Sequence, residues 1–442
     1  MKNIKLSFWG LLIVLTGLWL AADPVFSSPL SFSVWRLALI NYSGIIAMGA
    51  MSVALLLALR PVLFAPVLGS IDKMYRLHRW LGLTGLVMII LHWLLTQVTG
   101  WLMHWFSSGR TGLIDTSELT VTIISALQSQ RGLAQALGGW AFYAAVALIV
   151  LALVKQFPYR YFFKTHRLLA VVYLLLVFHA LVLMKLNYWA SSIAGLMALL
   201  MTAGSVAALI ILVRKQGLSR QVVGVIEEVI PHKDNHVLEV AIQIKGRWSG
   251  HEVGQFAFVT MGDKERAHPF SISSAWNEDA HSLFLHMALG DYTRSLPFRL
   301  KVGDVVKVEG PYGQFDFSGD KPRQIWVGSG IGMTPFIARM KKLAQQPDGK
   351  SIDLFYTTNK RDEEAIKRLR QSAAEANVRL YVLVESYDGR LDAGRIAQAV
   401  PEWKQGDVWF CGPAGFARDL RRGFIAKGLA PDDFHQELFT VR

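Results

Sequence analysis

The stretch that decides the fold of this chain is Tyr75–His92, YRLHRWLGLTGLVMIILH, an apolar helical run with a histidine near each end. The same pattern returns at Phe163–His179, FKTHRLLAVVYLLLVFH. In both copies His-Arg precedes an apolar run and a second histidine, 14 residues on in the first copy and 13 in the second. Because imidazoles in a bilayer are costly and tend to mark function, these two helices are the centre of the prediction.

Hydropathy divides the chain at about Arg214, with long apolar runs before this residue and a soluble composition after it. Crossing about 30 Å of hydrocarbon takes roughly 20 helical residues. The segments that are long enough lie near Ile4–Ala22, Leu37–Leu59, Leu77–Phe106, Gly138–Gln156, Phe162–Lys185 and Trp189–Val213. The sequence therefore predicts a six-helix transmembrane domain over residues 1–216.

The first of these segments has two readings. Lys2 and Lys5, a short apolar run and Ala21-Ala22 are also typical of a cleaved signal peptide. We favour a retained helix, since an even number of spans returns the C-terminal half to the side on which the chain started.

The net charge of +13 is concentrated in short loops that flank the apolar runs. Lys and Arg at such positions fix membrane topology, so the charge argues for membrane lipid and against nucleic acid as a partner. The basic loops predict that both termini are cytoplasmic and that the chain is an integral protein of the inner (plasma) membrane. Cys411 is the only cysteine, which excludes an intrachain disulfide and a cysteine-based zinc or iron–sulfur site.

The four histidines suit iron, because neutral imidazole is a good iron ligand. At about 1.5 Å per residue, 13 or 14 residues span roughly 20 Å, enough for one haem near each leaflet. The topology pairs His78 with His166 and His92 with His179. The alternative is four independent histidines, each satisfied by its neighbouring helices.

One detail of the spacing does not fit an ideal helix. At about 100° per residue, 14 residues return to nearly the same face but 13 miss it by roughly 140°. Helix tilt, coiling or a local irregularity must compensate. His104, near the outer end of the third span, has no partner in the fifth and is left out of the ligand set.

Short alternating strands separated by turns occupy residues 217–320 and predict an antiparallel β-barrel. One helix is expected to interrupt this barrel near Tyr292–Leu300. The stretch GDYTRSL places Gly290 and Thr293 where a backbone can approach a phosphate at a helix start, which suits a cofactor with a pyrophosphate. A capped helix without any ligand is the simpler reading.

Strands alternate with helices over residues 321–442, which predicts an α/β domain with a parallel sheet. Val327–Pro335, VGSGIGMTP, follows a strand and opens a helix, so its glycines permit a tight turn and close phosphate approach. An ordinary strand–helix turn is the alternative. Cys411, Gly412 and Pro413 close the last of the four alternating strands at the edge where open sheets bind ligands, although a buried core thiol is equally open for Cys411.

Taken in order, HPFSIS, GDYT, EGPYG, GSGIGMTP and CGP resemble the ferredoxin–NADP reductase family over residues 221–442. Together with the paired histidines, nearly the whole chain resembles the NADPH oxidase and ferric reductase membrane family. This resemblance implies a chain that binds FAD, NADPH or NADH, and two b-type haems held by His78, His92, His166 and His179.

The resemblance also implies roles for single residues. The flavin ring is expected to contact His268, Pro269, Phe270 and Ser271, with Ser271 near its reactive edge, and Phe439 is expected to stack on the ring. Alternatively, Phe439 simply packs in the core as part of a C-terminal strand. The FAD pyrophosphate is assigned to Gly290, Asp291 and Thr293. The nicotinamide nucleotide is assigned to Gly328, Gly330, Gly332, Thr334, Pro335, Cys411, Gly412 and Pro413.

The activity implied is transmembrane electron transfer from cytoplasmic NAD(P)H through FAD and the haems to an external acceptor. Oxygen giving superoxide is the first hypothesis, and an external ferric chelate is the second. Arg36 could attract an oxygen species or anchor a haem propionate. The alternative is that it is an interfacial residue whose charged end reaches the headgroups. No obligatory protein partner is expected, and a haem subunit donating electrons to a partner protein, or a sensor, is the alternative from another class. Basic or hydroxyl residues at Thr358, Lys360 and Arg361 favour NADPH over NADH, although three acidic residues follow them.

Overall fold

The computed structural model describes residues 2–23, 32–61, 64–69, 71–105, 129–154, 156–213, 220–232, 237–262, 267–276, 282–288 and 293–437. The chain forms two compact units, residues 1–216 and 217–441. Each unit has its own hydrophobic core.

Among its described residues, the first unit contains six helices that are long and apolar enough to cross a membrane. They are α1 Lys2–Ala22, α2 Phe32–Ala58, α3 Ile71–Trp105, α4 Arg131–Leu153, α5 Tyr159–Leu183 and α6 Ser192–Leu212. The expected six-helix membrane domain is confirmed, with α3 beginning six residues earlier than the hydropathy pattern predicts.

Small residues allow these helices to approach closely. A Cβ added at Gly49 of α2 would lie 2.6 Å from Leu15 Cδ1 of α1, so this glycine seats α1 against α2. A Cβ at Gly204 of α6 would lie 2.2 Å from the hydroxyl of Tyr173 in α5. That hydroxyl is 2.7 Å from Ser52 Oγ of α2, so one buried polar contact joins α2 and α5 beside α6.

The second unit begins with a closed barrel in the order β1-β2-β5-β4-β3-β6. Its strands are β1 Gln221–His232, β2 Val237–Lys245, β3 Phe256–Thr260, β4 His268–Ile272, β5 Ser282–Ala288 and β6 Val305–Tyr312. All six pairings are antiparallel, as the period-two pattern predicts. The alternate apolar residues meet inside the barrel, where they form its core.

The helix expected near Tyr292–Leu300 is shorter in the structure. A 3₁₀ turn, Thr293–Ser295, leads into a single α-helical turn, Leu296–Arg299. Leu300 is already extended, and Gly303 has a φ of +92°. The chain therefore turns back into β6 before a longer helix can form.

The α/β domain that follows has a parallel five-stranded sheet in the order β11-β10-β7-β8-β9. Its strands are β7 Arg323–Ser329, β8 Ser351–Thr358, β9 Arg379–Val384, β10 Gly406–Cys411 and β11 Phe434–Glu437. The four longer helices are α7 Thr334–Gln345, α8 Glu363–Glu375, α9 Ala393–Ala399 and α10 Ala414–Ala426. The predicted combination of helical bundle, barrel and parallel sheet is confirmed.

Candidate functional site

The inner histidine pair joins α3 and α5. The ring centres of His78 and His166 lie 5.9 Å apart. His78 Nδ1 lies 2.8 Å from the carbonyl oxygen of Ala54 in α2. Because a carbonyl can only accept, Nδ1–H donates this hydrogen bond, and the lone pair of neutral His78 is left on Nε2.

The outer pair repeats this arrangement. The ring centres of His92 and His179 lie 6.2 Å apart. His92 Nδ1 donates to the carbonyl oxygen of Ile40 at 2.9 Å, and His179 Nδ1 donates to that of Ala134 in α4 at 2.8 Å. Both outer imidazoles therefore have a fixed ring orientation, and in the neutral rings the lone pair lies on Nε2.

The distance between the two rings of each pair suits one shared metal ion. A metal–nitrogen bond of about 2 Å to each ring places two imidazole centres roughly 6 Å apart. Metal-binding histidines commonly donate their other ring N–H to a carbonyl, as three of these four do. Both pairs therefore fit bis-histidine coordination of an iron, and the four residues stay the predicted ligands.

Two glycines contact the outer pair, one of them making room for it, and the sequence alone did not reveal them. A Cβ added at Gly138 of α4 would lie 2.1 Å from His179 Nδ1. A Cβ at Gly44 of α2 would lie 3.5 Å from the His92 ring, an ordinary contact. Gly138 is therefore required for the outer pair, whereas Gly44 only lines it.

The 13-residue spacing in α5 is accommodated without a break in the helix, since Tyr159–Leu183 is continuous. His166 stacks on Phe162 at 5.1 Å and 13°, and its Nδ1 is buried without a hydrogen-bond partner among the described residues. His179 instead turns towards α4. The side chains of His166 and His179 thus contact different neighbours. This accommodates the angular offset of the 13-residue spacing without an irregularity in the helix.

Polar residues lie at the end of the bundle that is predicted to face outward. Arg36 Nε donates to the carbonyl oxygen of Leu95 at 2.8 Å, and Leu95 lies three residues beyond His92. Asp23, which is buried, accepts from Lys185 Nζ at 2.7 Å and from the hydroxyl of Tyr188. Burial and Asp23 raise the pKa of Tyr188, so the phenol stays protonated and donates.

The predicted flavin strand is β4, which lies between β3 and β5. Phe270 points into the barrel core, whereas His268, Pro269 and Ser271 are partly exposed. Thr293 is buried at the 3₁₀ turn after β5. These side chains remain the predicted flavin contacts, and the assigned Gly290, Asp291 and Phe439 lie outside the described residues.

The predicted nucleotide residues meet at one sheet edge, where the strand order reverses between β7 and β10. A Cβ at Gly332 would lie 2.2 Å from the carbonyl oxygen of Cys411, and one at Gly412 would lie 2.9 Å from Ser329 Cβ. Gly330 has a φ of +55° and open space around it. Open α/β sheets bind ligands at such a reversal, so this edge is a candidate nucleotide site.

Other members of this predicted set have structural contacts. Thr334 and Pro335 are buried in the first turn of α7, where Thr334 Oγ1 donates to the carbonyl oxygen of Ile331 at 2.9 Å. A Cβ at Gly328 would lie 2.3 Å from Met333 Sδ. Cys411 is fully buried in the core of the domain, so its backbone, rather than its thiol, faces the loop of Gly332.

The residues predicted to favour NADPH already form some contacts within the protein. Thr358 Oγ1 donates to the carbonyl oxygen of Lys360 at 2.9 Å. Arg361 forms an ion pair with Glu363. Asp362 caps α8 by accepting from the amide of Ala365 at 2.9 Å. Part of the acidic run therefore serves the helix start, and part neutralises the arginine.

His251 belongs to none of the motifs described above. It lies beside the end of β4, the predicted flavin strand. Its Nε2–H donates to the carbonyl oxygen of Ser274 at 3.1 Å, and its ring meets Trp276 edge-on at 5.4 Å. Burial lowers the pKa of His251 to about 4. Nδ1 has no hydrogen-bond partner among the described residues, which is consistent with a neutral imidazole.

Comparison with known proteins gives a family match for part of the membrane unit and relatives for the soluble unit. Residues 43–177 match the family described as ferric reductase like transmembrane component. The electron transfer component of toluate 1,2-dioxygenase from Pseudomonas putida is 27% identical over 196 residues, 42% of this chain and 58% of that protein. An NADPH oxidoreductase of Mycobacterium tuberculosis is 30% identical over 145 residues, 32% of this chain and 38% of that protein.

The solved structures that resemble the chain include two flavohaemoprotein-type proteins. The flavohem-like FAD/NAD binding domain of nitric oxide dioxygenase from Vibrio cholerae has a TM-score of 0.43 at 22% identity, covering 49% of this chain and 98% of that domain. Flavohemoglobin from Malassezia yamatoensis has a TM-score of 0.49 at 15% identity, covering 95% and 98%. Both scores lie below the level that defines a shared fold.

The chain spans 38% to 58% of the length of the two curated relatives. The matches confirm the expected pairing of a ferric-reductase-like transmembrane domain with a reductase module, and they place the chain among the oxidoreductases.

Proposed function

We propose that the chain transfers electrons from NAD(P)H, through FAD and two b-type haems, across the membrane to an external acceptor. When bound, the flavin accepts a hydride and releases single electrons, which the haem irons pass on. The single observation that carries this proposal is the repeated histidine pair, with rings 5.9 and 6.2 Å apart on the same two helices.

The protein's own contribution is to hold and orient these groups. His78, His92 and His179 are oriented by carbonyls of α2 and α4, which leaves Nε2 for iron. With two histidines holding each haem iron, an external acceptor would be reduced without binding to the metal. β4 and the sheet edge between β7 and β10 supply the proposed flavin and nicotinamide contacts.

Oxygen, giving superoxide, is the first acceptor we propose. Arg36 supports it, because a guanidinium one turn from His92 stabilises an anion formed at the outer end. The second candidate, an external ferric chelate, is favoured by the family that residues 43–177 match. The basic loops support a plasma membrane protein with both termini in the cytoplasm.

An optical spectrum of the purified chain tests the haem proposal. Two b-type haems per chain, reduced by NADPH and FAD without a partner protein, are expected. His92→Leu and His179→Leu should each remove one haem. Full haem occupancy in both variants would reject the ligand assignment, and a chain that reduces its haems only with an added protein would support the donor-subunit alternative.

Acceptor specificity is tested on the same preparation. Superoxide-dismutase-sensitive reduction of a dye in air is expected from the oxidase activity. Reduction of a ferric chelate under anaerobiosis, without superoxide in air, would replace oxygen with the ferric chelate. Arg36→Gln should slow oxygen reduction while leaving haem reduction by NADPH unchanged.

A further inference from the structure

The outward face of the barrel strands β1 and β6 is unusually apolar. Val223 pairs with Lys307 and Val225 pairs with Val305 in the antiparallel register. Their neighbours Gly224 and Val306 point into the barrel, so Val223 and Val305 point outward, and they are 46% and 63% exposed. An outward barrel position in a soluble protein is normally polar.

The apolar face extends onto the turn before β6. Phe298, in the short helix, is 88% exposed, and Val302 is 68% exposed. Lys301 is also exposed, and its backbone amide donates to Asp304. A nearly bare phenylalanine among valines and lysines is the composition of a surface that inserts into a lipid headgroup region. We call Val223, Phe298, Val302 and Val305 the apolar ridge.

A cationic cleft lies at the start of β1, next to Val223. It has a volume of about 540 Å³, and its lining includes Arg220, Val223, Lys245, Arg247 and Trp248. In the described part of the chain none of its three cations is paired with a carboxylate. The indole Nε1 of Trp248 is buried without a hydrogen-bond partner among those residues. The cleft therefore offers three positive charges to an anion.

A short segment of chain links the barrel to the last membrane helix. Eight residues, 213–220, separate the end of α6 at Leu212 from the start of β1 at Gln221. β1 is therefore the barrel strand that the sequence tethers most directly to the bilayer. Anionic lipid attracts basic residues close to the surface, and apolar side chains add insertion.

We propose that the apolar ridge and the cationic cleft form a surface that rests on the anionic phospholipid of the membrane holding α1 to α6. The ridge enters the headgroup region, and Arg220, Lys245 and Arg247 bind lipid phosphate. The reductase half is then held on the bilayer by lipid contacts as well as by its linker. This role is independent of the electron acceptor.

Spin labelling tests this proposal on the full chain in nanodiscs. Because Cys411 is buried and is the only cysteine, Phe298→Cys gives a single reactive thiol. Tyr387→Cys, on an 80% exposed aromatic of the α/β domain, is the matched control. The label at residue 298 should be relaxed several-fold more by oxygen than by a water-soluble nickel complex. The label at residue 387 should show the reverse.

Lipid composition and charge complete the test. The oxygen preference at residue 298 should be stronger in discs with phosphatidylglycerol than in discs of phosphatidylcholine alone, and Arg247→Glu should remove this difference. A label relaxed by the nickel complex as strongly as the control would overturn the proposal. A label shielded from both reagents would also overturn it, because protein rather than lipid would then cover the ridge.

Discussion

Gly138 of α4 leaves the space that the imidazole of His179 fills, since a Cβ there would lie 2.1 Å from Nδ1. The same histidine donates to the carbonyl of Ala134, one turn earlier on that helix. α4 therefore both orients the outer histidine and makes way for it.

Gly138→Ala should displace His179 and empty the outer site while the inner site stays filled. Overpacking of this kind costs about 1–3 kcal/mol, so a lower unfolding temperature is expected as well. The measurement is the reduced-minus-oxidised absorbance per chain, which should fall from two haems to one. Gly139→Ala is the control, because no described residue lies within 4 Å of its added Cβ. Identical spectra for the two variants would contradict the prediction.

Gly332→Ala should separate the two loops of the nucleotide edge. Its Cβ would meet the carbonyl oxygen of Cys411 at 2.2 Å and the amide of Gly412 at 3.0 Å. A cost of about 1.4 kcal/mol on nucleotide binding corresponds to a tenfold rise in KM for NADPH. Steady-state NADPH oxidation measures this, with flavin absorbance expected to be unchanged. Gly415→Ala, which has open space, should behave as the parent chain, and an unchanged KM in Gly332→Ala would argue against this site.

The stability of the soluble half should fall as the pH drops below 6.5, because of His251. Burial lowers its pKa to about 4. Between pH 6.5 and 4, this histidine is therefore protonated in the unfolded chain and neutral in the folded chain. Stability in that window therefore rises with pH, by at most about 1.4 kcal/mol per unit.

The loss between pH 7 and pH 5 is then about 2 kcal/mol from this residue. Denaturant unfolding followed at both pH values should show a smaller difference in His251→Gln than in the parent. His286→Gln, a second histidine-to-glutamine exchange in the same barrel, is the control. An equal pH dependence in all three proteins would rule out this role for His251.

α1 should remain in the mature protein. Ile4 and Leu15 are buried against the other helices, and Asp23 accepts from Lys185 at 2.7 Å. Intact-mass measurement of protein purified from membranes should recover the residues of α1. Asp23→Ala should lower stability by about 2 kcal/mol, because a buried partner of Lys185 and Tyr188 is lost. The exposed Lys5→Ala should not, and a mass lacking α1 would restore the signal-peptide reading.

Much of the architecture could be predicted because it depends on local periodicity. Apolar runs of about 20 residues gave the six helices, and alternation gave the barrel. The pairing of His78 with His166 followed from topology alone. Gly138 could not be found in this way, because its role depends on which faces of α4 and α5 meet.

Other features depend on contacts between distant residues. His251 looks like any loop histidine until Ser274 and Trp276 surround it. The helix expected near Tyr292–Leu300 ends early because the turn at Gly303 directs the chain into β6. The offset within α5 likewise needed the positions of Phe162 and Ala134, which no spacing rule supplies.

The carbonyls that orient the two histidines of α3 come from one helix, α2, at Ile40 and Ala54. They lie 14 residues apart, as do His92 and His78, and α2 and α3 run antiparallel between them. α2 thus spaces the hydrogen-bond acceptors of both histidines of α3. A single residue inserted between Ile40 and Ala54 would rotate one carbonyl by about 100° relative to the other, so one imidazole would lose its acceptor while the other kept it. The orientations of His78 and His92 are therefore set jointly by the length of α2 between these two carbonyls.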